Sequence, residues 1–243
     1  MNLAAMRALL RETASPEDAV FLQRFFKTGP GEYGAGDKFL GIRVPAVRAT
    51  AKKSDPLAIE DVLRLLASEW HEERLLALLI LGRRFERGTP AKRREIAAIY
   101  QRHFQCTNNW DLVDLSAPNI LGSWLLENGA GAQATLLKLA RSNNLWERRI
   151  AVLATLAFIR AGRFGLTLQL CKELISDHED LLHKACGWML REVGKRDVET
   201  LRKFLYIHAP RLPRTMLRYA IERLPQLERQ ALLARKSEPS RER

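Results

Sequence analysis

The sequence predicts an all-α protein built from repeated helix pairs, and three observations predict it. Apolar residues recur at three- and four-residue spacing in nearly every segment, as the buried stripe of a helix requires. Capping side chains precede proline at Ser15-Pro16, Asp55-Pro56 and Thr89-Pro90. Proline's fixed φ and missing N–H suit the first helical position. No segment alternates polar and apolar residues with the two-residue period of a half-buried strand. Gly88, Gly162 and Gly194 sit where helices should stop.

Taken in order, the first twenty residues, MNLAAMRALLRETASPEDAV, interleave apolar residues with Arg and Glu and read as an amphipathic helix, not a signal peptide. Residues 27–48, KTGPGEYGAGDKFLGIRVPAVR, break the helical pattern. No Gly-Lys-Ser/Thr follows and no strand precedes, so this is neither a Walker loop nor a dinucleotide fingerprint. The plain reading is a tight connector with several positive-φ positions. A functional reading brings its backbone, with Tyr33 or Lys38, to a ligand phosphate. DPLAIEDVLRLLASEW, EERLLALLILGRRFERG, TPAKRREIAAIYQRHF, NLWERRIAVLATLAFIRAG and ETLRKFLYIHA follow as helices. The tail, residues 236–243, is polar and expected to be disordered.

The helices also repeat. Aligning WHEERLLALLIL, WDLVDLSAPNIL, WERRIAVLATL and LLHKACGWMLRE by their apolar positions brings Arg74, Asp114, Arg149 and Lys184 into register, at separations of 40, 35 and 35 residues. That period is the signature of a HEAT-like solenoid. Residues 1–235 are therefore expected to form a single domain, C-shaped, with a basic concave face along which Asp114, Arg149 and Lys184 follow one another about 10 Å apart.

Composition agrees. Forty Lys and Arg against 28 Asp and Glu give a net charge of +12 and a pI near 10.0. A surplus of that size in a chain that is 47% hydrophobic points to a folded protein with a polyanionic partner, nucleic acid before an acidic membrane surface. Residues 183–229 alone hold eleven basic residues against five acids, with Lys184, Arg191 and Lys195 among them. Cys106, Cys171 and Cys186 form no CxxC pattern and read as reduced thiols in a cytoplasmic protein. No apolar run approaches the roughly 20 residues of a membrane helix.

Catalytic and metal motifs are scarce. In HEDLLH the histidines, His178 and His183, are five apart, where a zincin needs four. His103/Cys106 and His183/Cys186 read as residues of packed helices, so no metal and no other cofactor is expected. There is no GxSxG and no apolar run around a lysine to suggest a Schiff base. What remains is TNNWDLVDLSAP, residues 107–118, which places Trp110 and Asp114 on one helical face at i, i+4. Singly, Trp110 reads as a core aromatic and Asp114 as a first-turn acid. Together with the repeat register, Asp114 becomes a lone carboxylate in a row of cations. Such a residue weakens phosphate binding, which suggests a chemical role: stabilising positive charge that develops on a deoxyribose. Asp111 reads as a first-turn acid.

FLGIRVPAVR (39–48), NNWDLVDLSAPNILG (108–122), NLWERRIAVLATLAFIR (144–160) and HKACGWMLREVGKRD (183–197) carry a resemblance. In these segments the chain resembles the AlkD family of DNA alkylation repair glycosylases, HEAT-like proteins that excise N3- and N7-alkylated purines. The resemblance implies a catalytic carboxylate at Asp114, sugar-contacting tryptophans at Trp110 and Trp188, a phosphate-contacting arginine at Arg149 and a further backbone contact at Arg191. Arg148, Lys184, Lys195, Tyr33 and Lys38 complete the expected DNA-binding set. One departure is that Asp180, Leu181 and Leu182 stand where family members often carry aromatic residues.

The implied partner is double-stranded DNA containing alkylated purines, and the implied protein a monomer, cytoplasmic and associated with the nucleoid when bound. The implied chemistry needs little. A purine alkylated at N3 or N7 is already cationic and leaves without a general acid, so one carboxylate and flanking indoles suffice to stabilise the oxocarbenium-like sugar and place a water. Two other readings stand beside it: a non-catalytic binder of damaged or branched DNA, and a protein–protein scaffold. The complete Trp110, Asp114 and Arg149 set discriminates against a pure binder.

Overall fold

The computed structural model describes residues 2–54, 56–129 and 131–235. The expected cap Asp55 and the expected disordered tail at 236–243 lie outside them. Every regular element among the described residues is helical, and the one β-type pairing is an isolated bridge between Lys38 and Trp70. The described residues divide into two compact units, with the boundary between Trp124 and Leu125.

The first unit opens with α1 (Leu3–Arg11), capped by Asn2, whose side chain accepts the Ala5 N–H at 3.0 Å. Met6 and Leu10 are its buried stripe. The amphipathic N-terminal stretch forms two helices, divided at the expected Ser15-Pro16 start. Ser15 accepts the Asp18 N–H at 3.2 Å and starts α2 (Pro16–Phe25) with proline at the first helical position. α3 (Val44–Ala51) follows the connector. α4 (Ile59–Leu66) begins three residues after Pro56, not at it. Pro56 lies instead in a turn closed by the Leu57 N–H on the Ser54 carbonyl at 2.9 Å, and Glu60 and Asp61 supply the negative charge that a helix N-terminus favours. α5 (His71–Arg87) is the central helix, touching α3, α4, α6 (Pro90–Arg102) and α7 (Trp110–Ser116). Gly88 caps the end of α5, and Thr89 caps α6 as expected. A π-helical turn, Pro118–Gly122, leads from α7 to α8 (Ser123–Asn128).

The second unit holds α9 (Ala132–Ala140), α10 (Leu145–Arg160), α11 (Gly165–Glu173), α12 (Asp180–Gly194), α13 (Val198–His208), α14 (Arg214–Ala220) and α15 (Gln226–Ala234). α10 is buried almost all round from Arg149 to Ile159, and packs on α9, α11 and α12. It ends in a Schellman turn: Gly162, at φ +72°, donates to the Ile159 carbonyl at 3.0 Å, and Arg163 donates to Phe158 at 2.9 Å. Gly194 is the last residue of α12, where a stop was expected, and a Cβ there would lie 2.4 Å from Leu201 Cδ2, so it also lets α13 approach closely.

The Gly-rich segment is a connector in the sense the sequence suggests. Gly31, Gly36 and Gly41 have positive φ, and at Gly41 a Cβ would meet the Ser15 carbonyl oxygen at 1.9 Å. Its backbone is held by Glu72, 1% exposed, which accepts the N–H groups of Leu40, Gly41 and Ile42 at 2.9, 2.9 and 3.1 Å.

Candidate nucleic-acid interface

α7 owes its start to Asn109, whose Oδ1 accepts the Trp110 N–H at 2.8 Å. Trp110 is the first helical residue and Asp114 stands one turn on; both are partly exposed. The Trp110 ring is supported from behind. It stacks on Phe26 at 5.2 Å and meets the half-exposed Phe25 edge-on at 6.0 Å. Further along α7, Ser116 bonds the Tyr100 hydroxyl at 2.8 Å. Burial pushes that phenol up, and the charge of Asp114 adds to the effect.

Beneath this face lies a network that the sequence did not reveal. His71 Nδ1 is 2.9 Å from Asp37 Oδ2, and His71 Nε2 is 2.8 Å from Asp111 Oδ2. Arg74 donates to Asp37, and Asn109 Nδ2 donates to it at 3.3 Å. The His71 ring packs against Phe39 at 4.5 Å and Phe26 at 5.0 Å, and those two rings stack on each other at 5.0 Å. Burial alone would lower its pKa, but the charge and hydrogen bond of Asp111, helped by Asp37, outweigh burial and raise it to about 9. Burial alone would raise Asp37; the hydrogen bond from His71 and the charge of Arg74 hold it below the ordinary value. The first four residues of α5 are thus all buried polar groups with assigned partners. Glu73, 0% exposed, completes the set by pairing with Arg7 and Arg11 of α1 at 2.9 and 2.7 Å. Asp111 is therefore the partner of a buried histidine, more than a first-turn acid.

The repeat register fares differently at each position. Arg74 and Arg149 are both 5% exposed; the first pairs with Asp37 and the second donates to the Leu181 carbonyl. Neither presents its charge to solvent. Arg74 stands four residues after its tryptophan, the same phase as Asp114, yet its pairing with Asp37 holds it in the interior; Arg149 stands three after its own, about 100° away in phase. Lys184 is half-exposed and pairs with Asp180 at 2.8 Å.

The other expected phosphate contacts have acidic partners as well. Arg148 pairs with Asp177 at 2.8 Å and donates to the carbonyls of Ser142 and Asn143, a role in holding the turn before α10. Arg191 pairs with Glu222. Glu192 takes the Trp188 indole N–H at 3.2 Å and Lys195 at 2.6 Å. Lys38 pairs with Glu69 at 2.6 Å, and Tyr33 is half-buried in the connector. An ion pair as exposed as that of Lys38 and Glu69 is worth about 0–1 kcal/mol. Where aromatics were expected, Asp180 bonds Thr215 at 2.7 Å, Leu181 receives Arg149, and Leu182 is buried.

Among the described residues no three His, Cys, Asp or Glu side chains gather as a metal site. His103 and His183 turn their ring nitrogens to the carbonyls of Ile99 and Asp177, and the three cysteines are free thiols. No described helix is long and apolar enough to cross a membrane.

A family model described as DNA alkylation repair enzyme matches residues 6–224. Among solved structures, a predicted DNA alkylation repair enzyme from Enterococcus faecalis superposes with a TM-score of 0.68 at 18% identity, over 88% of this chain and 98% of that one. AlkD2 from Streptococcus mutans superposes with a TM-score of 0.53 at 14% identity, over 85% and 97%. These likenesses are of fold. No curated protein sequence matches the chain.

Proposed function

Because the chain belongs to the DNA alkylation repair enzyme family, we propose that it is a monofunctional glycosylase that hydrolyses the N-glycosidic bond of cationic N3- and N7-alkylated purines in duplex DNA. The observation that carries the reading is the pairing of a partly exposed carboxylate with a partly exposed indole, Asp114 and Trp110, one turn apart on a braced helix. A positively charged purine is already a good leaving group. The barrier is then the charge that develops on the sugar, which a fixed carboxylate stabilises and an indole face favours. Asp114 also orients the attacking water. In this reading Trp188 packs against the sugar, Arg149 reaches the phosphates by leaving the Leu181 carbonyl, and Arg191, Lys195, Lys184 and Lys38 exchange their carboxylate partners for phosphates. Arg148 acts indirectly, by fixing the turn before α10. Residues 1–235 act as one HEAT-like, DNA-binding body with a basic concave face, working as a monomer.

The test is release of methylated bases from randomly methylated duplex DNA. The reading expects free 7-methylguanine or 3-methyladenine, and strands that break only after alkali treatment of the abasic product. Duplex binding without base release would favour the non-catalytic binder instead.

A further inference from the structure

The Asp37–His71–Asp111 cluster has no part in the chemistry just described, yet it meets the candidate site at three successive residues. Both ring nitrogens of His71 face carboxylate oxygens, at 2.9 and 2.8 Å. A carboxylate oxygen only accepts, so both nitrogens donate and the ring is an imidazolium. It is 2% exposed, and the groups around it come from every element packed there: Asp37 from the connector, Asp111 from α7, Arg74 of α5 behind Asp37, and the mutually stacked rings of Phe26 and Phe39 against it. Two cations thus meet two carboxylates, and removing either cation would strand a buried negative charge.

From this cluster run the ties to the start of α7. Asn109 donates to Asp37 with one end of its amide and accepts the Trp110 N–H with the other. Trp110 stacks on Phe26, which lies against His71. Asp111 bonds His71 through Oδ2, while its Oδ1 is buried and has no hydrogen-bond partner among the described residues. That carboxylate is therefore held by the imidazolium. A helix fixed at residues 109, 110 and 111 has its azimuth fixed, and with it the direction of Asp114.

We propose that His71 is a positioning residue for the α7 site, an imidazolium held between Asp37 and Asp111 that sets where Trp110 and Asp114 stand. The proposal rests on the glycosylase reading for its kinetic consequence, though not for its structural one. A displacement of about 1 Å at a reacting group can cost up to about 100-fold in rate, so even slight loosening of α7 is measurable.

The experiment combines His71→Gln with two readouts. Nitrogen-15 spectra of wild type at neutral pH are expected to show both ring nitrogens protonated, with the ring titrating near pH 9. Amide exchange in α7 is expected to rise about tenfold in His71→Gln while α10 and α12 stay unchanged. Single-turnover base release is expected to fall at least about tenfold, and His71→Gln is expected to add nothing in an Asp114→Asn background.

A neutral ring at neutral pH, unchanged exchange in α7, or a further loss in the Asp114→Asn background would overturn the proposal. If wild type releases no base, the glycosylase reading has failed, and the spectra and exchange still decide the positioning. Should His71→Gln not fold, Asp111→Asn carries the test. It keeps an acceptor but removes the charge, so the His71 titration and the loss of α7 protection must move down in pH together. If they do not, the proposal falls.

Discussion

Asp111 and Asp114 stand one turn apart on the same helix and are separated by what surrounds them. Asp111 turns inward onto a histidine 2% exposed, whereas Asp114 stays partly in solvent. The pairing has a consequence for stability. His71 has a folded pKa of about 9 against an ordinary 6.5. Its contribution is then fully present below about pH 6.5 and is lost as pH rises through about 9, an upper bound of about 3 kcal/mol. Urea unfolding is expected to show stability falling over that window, with a shallower fall in Asp111→Asn; identical slopes would show that the pair is not the cause. That Trp110 and Asp114 stand one turn apart on α7 was legible because their spacing is local. The His71 contacts were not, because they span 34 and 40 residues and leave no periodic trace. The polar run His71 to Arg74, inside a helix otherwise rich in leucine, was the one available signal.

Helices announce themselves through short-range chemistry, and most of them were readable. Ser15 and Thr89 cap as their position before proline implies, and Gly162 closes a Schellman turn. α4 escaped by three residues because Pro56 lies inside the turn that Leu57 closes on Ser54, and the helix starts only beyond it. Glycines inside helices are harder to read, since close packing and chain termination use the same residue. Gly187 on α12 is the clearest case: a Cβ there would lie 2.5 Å from both the Met216 carbonyl oxygen and Tyr219 Cβ on α14. Gly187→Ala is expected to lower stability by about 1–3 kcal/mol through forced separation of the two helices. Thermal unfolding checks this, and an unchanged midpoint would mean that α14 yields freely. Trp188 is the next residue, so the same change is also expected to weaken DNA binding.

At the scale of the molecule, a net charge of +12 points to a polyanion, yet the cations named for it are each held by a carboxylate or a carbonyl. Composition showed the surplus; it could not show the pairing, which depends on residues distant in sequence such as Arg191 and Glu222. If phosphates replace these carboxylates, each exchange releases counterions. Arg191→Ala should then reduce the slope of log K against log salt by about 0.9. An unchanged slope would remove Arg191 from the interface. The central claim, that Asp114 performs chemistry on a duplex held by such contacts, is tested most directly by comparing Asp114→Asn with wild type on the same methylated DNA. The account predicts that the variant binds at least as tightly, because a negative charge near phosphates has gone, while base release falls by about two orders of magnitude or more. Release of 7-methylguanine at the wild-type rate would contradict it.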